Sequence, residues 1–150
     1  MIHRDIKLEN FLVKYTNENK TKYIIKLSDY GISKFKNKTN SIFSGIKGSE
    51  DTVAPEVYLD KITKYESVVD IFSLGIVFYQ LTHNLRHPFG SNNNICYNYY
   101  TLHFDNDDSN IKFDESIKDE NFKDLLRNML KINPQNRISW DNYFNHPFFQ

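Results

Sequence analysis

The sequence has a single cysteine, no net charge and no long apolar run, and each shortage removes a class of protein. Cys96 alone cannot close an internal disulfide, which fits a reducing compartment and an inert thiol. Nineteen Lys and Arg against nineteen Asp and Glu sum to zero formal charge, so no global basic field marks a partner such as nucleic acid or anionic lipid. The longest apolar stretch, residues 71–81, is too short to cross a bilayer and contains Ser73 and Gln80. His3, Arg4, Asp5 and Lys7 interrupt any apolar opening, which reads against a signal peptide. The expectation is a cytoplasmic chain with no membrane segment.

What is present fits one folded unit. A chain of 150 residues can bury roughly 68–70% of its unfolded surface. Hydrophobic residues at 39% and charged residues at 25% lie near globular averages and argue against disorder.

Along the chain, residues 11–13 and 23–27 are short β-prone runs separated by the polar cluster Thr16-Asn17-Glu18-Asn19-Lys20, which predicts a small hairpin. Residues 32–48 are rich in Lys, Asn, Ser and Thr without a sustained period, and read as a long loop. Ala54-Pro55-Glu56-Val57-Tyr58 predicts a short helix with Pro55 in its first turn. Ser67-Val68-Val69-Asp70 has the spacing of a capping box in its Asp form, opening a helix over about 67–83 that is apolar on nearly every face and belongs at the centre of a domain. His87-Pro88-Phe89-Gly90 breaks it. A short helix is expected over 95–102, and Asn92, Asn93 and Asn94 before it read as polar loop filler. Phe122, Leu125, Leu126, Met129 and Leu130 recur at helical spacing, with Asn133-Pro134 as the stop and a last short helix over about 139–144. The fold class expected is mainly α with one hairpin near the start.

The chemistry concentrates at the beginning. His3-Arg4-Asp5 is followed by Lys7 and Asn10 and then an apolar run, and further on come Asp29-Tyr30-Gly31, Ala54-Pro55-Glu56, Asp70 with Ser73-Leu74-Gly75, and Arg137 after Asn133-Pro134. These five signals, in this order and spacing, resemble the C-terminal lobe of eukaryotic serine/threonine protein kinases. The resemblance runs from the first residues to the last and implies one partial kinase domain over residues 1–150, a kinase-like C-lobe fold, and ATP with Mg²⁺ as cofactors.

The roles implied by the resemblance fall on particular residues. Asp5 would accept the proton of the substrate hydroxyl and orient it, Lys7 would stand beside the transferred phosphoryl group, and Ser49 would hydrogen-bond both. Asn10 and Asp29 would bind Mg²⁺ through hard oxygens. Leu12, with Val77 and Leu81, matches the apolar column beneath the adenine ring. Tyr30 stands where Phe is usual, Thr52 where an aromatic ring is common, and Glu9 matches an acid that some members use to favour basic substrates. His3 belongs to the same motif as Arg4, and Arg4 and Lys34 resemble the cations that meet a phosphorylated activation loop, with Ser44 nearest the usual modification position and Thr39 and Ser41 as competitors. Glu56 would pair with Arg137, 81 residues later, and Asp70 would hold the backbone of the Asp5 loop as well as cap its own helix.

Nothing in the sequence resembles a Gly-rich phosphate loop or the strand lysine that anchors the phosphates. The 150 residues alone are therefore expected to be inactive, and to leave apolar surface uncovered at roughly 1.5–3 kcal/mol per large side chain. The alternative to a kinase catalytic half is a non-catalytic module that binds a protein substrate or a second kinase chain. A narrower likeness, through Asp70-Ile71-Phe72-Ser73, Phe78-Tyr79 and His87-Pro88-Phe89-Gly90, is to the stress-sensing kinase-ribonucleases of the endoplasmic reticulum, with calcium/calmodulin-type and autophagy-type kinases also in view. His83 and His87, four apart, are not expected to form a metal pair because Pro88 and the helix end separate them.

Overall fold

The computed structural model describes residues 1–33, 49–61, 66–106 and 110–150. Over these residues the fold is mainly helical with one small antiparallel sheet. In chain order the elements are β1 (Phe11–Tyr15), β2 (Tyr23–Leu27), α1 (Pro55–Tyr58), α2 (Val68–Thr82), α3 (Asn93–His103), α4 (Glu120–Met129) and α5 (Trp140–Phe144), with single 3-10 turns at Leu8–Asn10 and Pro147–Phe149.

The hairpin pairs Phe11 with Leu27, Val13 with Ile25 and Tyr15 with Tyr23. Because strand side chains alternate, these six share one face, and Val13, Ile25, Tyr15 and Tyr23 are each at least half exposed. The turn is held by Asn17, whose side-chain oxygen accepts from the backbone N–H groups of Thr21 and Lys22.

Helix α2 is the axis of the domain. Its residues Phe72 and Ile76 pack with Leu126, Leu130 and Ile132 on one side, while Ile71 packs with Leu125, Met129 and Tyr143 on another. A helix apolar around its circumference buries itself by collecting neighbours on every side, and α4, with a single apolar stripe, is one of them. At Gly75 the end of α4 lies close: a Cβ there would meet Leu130 Cδ2 at 2.9 Å and Met129 Cβ at 3.1 Å. Gly75→Ala should therefore lower stability by about 1–3 kcal/mol through overpacking, more than the roughly 1 kcal/mol of helix propensity it gains. A urea midpoint at or above that of the unaltered chain would contradict this.

The start of α2 differs from the expected capping box. Ser67 has helical φ and ψ (−65°, −12°) and makes no side-chain cap. Its carbonyl instead accepts from the Trp140 indole N–H at 3.1 Å, and the Asp70 carboxylate is committed elsewhere. Helix α2 ends at Thr82, within a residue of the expected end: Asn84 and Leu85 adopt left-handed φ (52° and 61°), and the Leu85 N–H returns to the Gln80 carbonyl at 2.9 Å. Asn92 is no loop filler, since its side chain accepts from Ile95 N–H at 3.1 Å and caps α3 two residues earlier than expected.

Each of the two histidines is occupied by its own neighbours. His83 is buried, stacked on the Tyr79 ring at 3.8 Å, with Nε2 accepting from the Asp114 N–H at 3.2 Å. His87 Nδ1 accepts from the Phe89 N–H at 3.2 Å, and burial lowers its pKa to about 4. Cys96 is buried, and desolvation keeps its thiol protonated by raising its pKa. Among the described residues no helix is long and apolar enough to cross a membrane.

Candidate active site

The site is assembled on the first turn of α2. Asp70 Oδ2 accepts from the His3 backbone N–H at 2.7 Å and Oδ1 accepts from the Arg4 N–H at 2.9 Å, so one carboxylate fixes two consecutive peptide units of the opening loop. Burial pushes the Asp70 carboxyl above its usual 3.8, and these N–H donors and His3 oppose that shift without cancelling it. Arg4, at φ 74°, is buried beside this clamp.

His3 carries the clamp toward the next segment. Its Nδ1 accepts from the Asp5 N–H at 3.3 Å, which assigns the proton to Nε2, and Nε2 donates to the Ser28 carbonyl at 3.0 Å. The Tyr30 ring lies edge-on to the imidazole at 4.8 Å and remains 49% exposed, so its hydroxyl has access to water and needs no buried partner.

Asp5 is held at both oxygens. Oδ1 accepts from the backbone N–H and the hydroxyl of Ser49, each at 3.0 Å. Oδ2 accepts from Asn10 Nδ2 at 3.2 Å and is 3.1 Å from Lys7 Nζ. Lys7 Nζ also donates to Ser49 Oγ at 2.7 Å, closing a ring of Asp5, Lys7 and Ser49 across 44 residues of chain. Desolvation raises the Asp5 pKa, but the hydrogen bonds from Lys7, Ser49 and Asn10 and the Lys7 charge outweigh it and hold the carboxyl below 3.8.

Asn10 turns its amide nitrogen to Asp5, donating to the Asp5 carbonyl at 2.7 Å as well as to the carboxylate, which leaves Oδ1 as the end available to a cation. Asp29 is exposed, and its Oδ1 accepts the local Gly31 N–H at 3.2 Å. An amide oxygen and a carboxylate are hard donors, and this set fits Mg²⁺.

Other expected residues are distributed around this centre. Leu12 on β1 and Leu81 at the end of α2 are 53% and 64% exposed, whereas Val77 is packed in the core. Glu56 and Arg137 form a buried bidentate pair with N–O distances of 2.7 and 2.8 Å. A cavity of about 330 Å³ beside the ring is lined by Lys7, Glu9, Ser49 and Thr52 among others. Lys34 and Ser44, with Thr39 and Ser41, lie outside the described residues. Two residues that sequence reading passed over, Ser28 and Ser33, hydrogen-bond the opening loop; single serines in a turn carry no spacing signal that would have exposed them.

The sequence model for the protein kinase domain matches residues 1–149. The serine/threonine-protein kinase/endoribonuclease ire-1 of Caenorhabditis elegans is 36% identical over 160 residues, covering 99% of this chain and 15% of that protein. The serine/threonine-protein kinase ATG1 of Debaryomyces hansenii is 29% identical over 98% of this chain and 18% of its own length. Calcium-dependent protein kinase 34 of Arabidopsis thaliana is 31% identical over 100% of this chain and 27% of its own. The chain thus spans well under half of each of these relatives. With its whole length but one residue matched by that model and its relatives serine/threonine kinases, the chain belongs to the protein kinase family.

Proposed function

We propose that this chain is the catalytic half of a serine/threonine protein kinase, transferring the γ-phosphoryl group of ATP to a serine or threonine hydroxyl of a protein. The observation that carries the reading is the ring of Asp5, Lys7 and Ser49, in which a carboxylate and an ammonium are held 3.1 Å apart by a shared hydroxyl. Phosphoryl transfer asks a protein mainly for alignment and for positive charge near the migrating group.

In the transfer, the acceptor hydroxyl oxygen bonds to the γ-phosphorus as the bond to the β–γ bridging oxygen breaks, and the hydroxyl proton passes to the Asp5 carboxylate while ADP leaves. Asp5 is a weak base with its pKa depressed, so its contribution is to orient the hydroxyl. Lys7 places its Nζ where charge accumulates on the phosphoryl oxygens. Asn10 and Asp29 would hold Mg²⁺, which would supply positive charge to offset that of the phosphate groups. Leu12, exposed on β1, would lie against the adenine ring. Arg4, together with Lys34, would meet a phosphate introduced at or near Ser44.

The test is phosphoamino-acid analysis after incubating the natural gene product that contains these residues with γ-labelled ATP, Mg²⁺ and a generic protein substrate. Labelled phosphoserine or phosphothreonine is expected. Absence of label, or label on tyrosine alone, overturns the reading.

A second reading, an interaction module for a protein substrate or another kinase chain, is supported by the apolar hairpin face carrying Val13, Ile25, Tyr15 and Tyr23. It becomes the better one if no label appears.

A further inference from the structure

Asp29-Tyr30-Gly31 is bracketed by two serines, and both hydroxyls reach back to the loop that carries Asp5. Ser28 Oγ donates to the Asn10 carbonyl at 3.0 Å, where the Ser28 backbone N–H also donates at 2.9 Å. Ser33 Oγ donates to the His3 carbonyl at 3.1 Å, and its N–H closes the turn on the Tyr30 carbonyl at 3.0 Å. His3 completes the connection from the other side, since its Nε2 donates to the Ser28 carbonyl at 3.0 Å.

What lies between the two serines needs holding. Asp29 is left-handed at φ 61°, a conformation an L-residue with a side chain adopts at a cost and keeps only where its surroundings fix it. Gly31 leaves room for the Asp29 carboxylate, because a Cβ there would stand 3.1 Å from Asp29 Oδ1. Asn10, whose carbonyl receives both Ser28 donors, is the residue whose side-chain oxygen remains for a cation.

We propose that Ser28 and Ser33 are positioning residues for the divalent cation, clamping Asp29 in place relative to Asn10 through the Asn10 and His3 carbonyls. This rests on the phosphoryl-transfer reading, which makes Asn10 and Asp29 the cation ligands. Neither serine touches the ion. Their hydroxyls act as the outer partners that orient ligands, whose removal typically costs 10–100-fold in metal affinity.

The test is a titration of the natural gene product that contains these residues with Mn²⁺, a paramagnetic stand-in for Mg²⁺, followed by electron paramagnetic resonance. The Ser28→Ala/Ser33→Ala double variant should bind Mn²⁺ about 10–100-fold more weakly. Its urea midpoint should stay close to that of the unaltered chain, because the Asn10 carbonyl keeps the Ser28 N–H. Ser28→Thr/Ser33→Thr, which retains both hydroxyls, should restore affinity. Unchanged Mn²⁺ affinity in the alanine pair overturns the inference, as does a loss that follows a fall in the urea midpoint and is not restored by threonine. If the unaltered chain binds no Mn²⁺, or binds it equally after Asn10→Ala and Asp29→Ala, the phosphoryl-transfer reading falls and the inference falls with it.

Discussion

Arg137→Ala is expected to lower the free energy of unfolding by about 3–5 kcal/mol and to shift the urea midpoint accordingly. The guanidinium is buried and meets Glu56 in a two-point fork at 2.7 and 2.8 Å. It also donates to the Val68, Lys131 and Ile132 carbonyls and stands 4.9 Å from the Phe72 ring centroid. Removing it leaves a carboxylate with 0% exposure and no cation, along with three carbonyls short of a donor. The size of the effect comes from that stranded charge rather than from the strength of the pair, so replacing both residues by apolar side chains of similar volume should cost far less. Arg137→Lys should fall between, because an ammonium supplies charge without the planar fork. The effect should also reach the site: Glu56 belongs to α1, a few residues after Ser49, and loosening that helix loosens the partner of Asp5. An unchanged urea midpoint in Arg137→Ala would show that Glu56 finds another partner.

How much of this was legible in the sequence depends on how far apart the interacting groups lie and on whether a pattern records them. Asp5, Lys7 and Asn10 fall within six residues, and their spacing already implied one cluster. The hairpin and the central helix followed from two β-prone runs around a polar turn cluster and from an apolar circumference, both local signals. The Glu56 and Arg137 pair spans 81 residues and was legible only as part of a family pattern. Asp70 shows the limit of local reading. Ser67 and Asp70 have the spacing of a capping box, yet the carboxylate is taken by N–H groups 66 and 67 residues away, and a carboxylate bonded to both cannot also turn back to its own helix start. Leu85 in a left-handed conformation could not be foreseen, because a leucine carries no turn signal. Its N–H satisfies the Gln80 carbonyl instead.

The second large effect is expected at Asp5. In the natural gene product, Asp5→Asn should reduce phosphoryl transfer by about 10²–10⁴-fold, the range typical of losing a positioned proton acceptor. The amide keeps one acceptor oxygen, so either Ser49 or the pair of Lys7 and Asn10 will face an NH₂ group where a carboxylate oxygen now accepts. The pH dependence follows from the depressed carboxyl. Because its folded pKa lies below 3.8, Asp5 contributes stability that is complete above the unfolded value and is lost as the pH falls through the folded one. Asp70 acts in the opposite sense: its folded pKa is raised by burial, so the native state holds that proton more tightly and stability declines as the pH rises from the unfolded value through the folded one. Asp5→Asn should therefore remove part of the loss of stability on acidification below the ordinary carboxylate range and leave the Asp70 component in place, as urea midpoints measured across acidic pH will show. The same depressed pKa predicts that Asp5 stays ionised throughout the neutral range, so the rate should carry no Asp5 titration between about pH 5 and 8. An inflection near pH 6 to 7 that disappears in Asp5→Asn would mean that the carboxylate works as a tuned base, and that the ring of Lys7, Ser49 and Asn10 does something other than orient it.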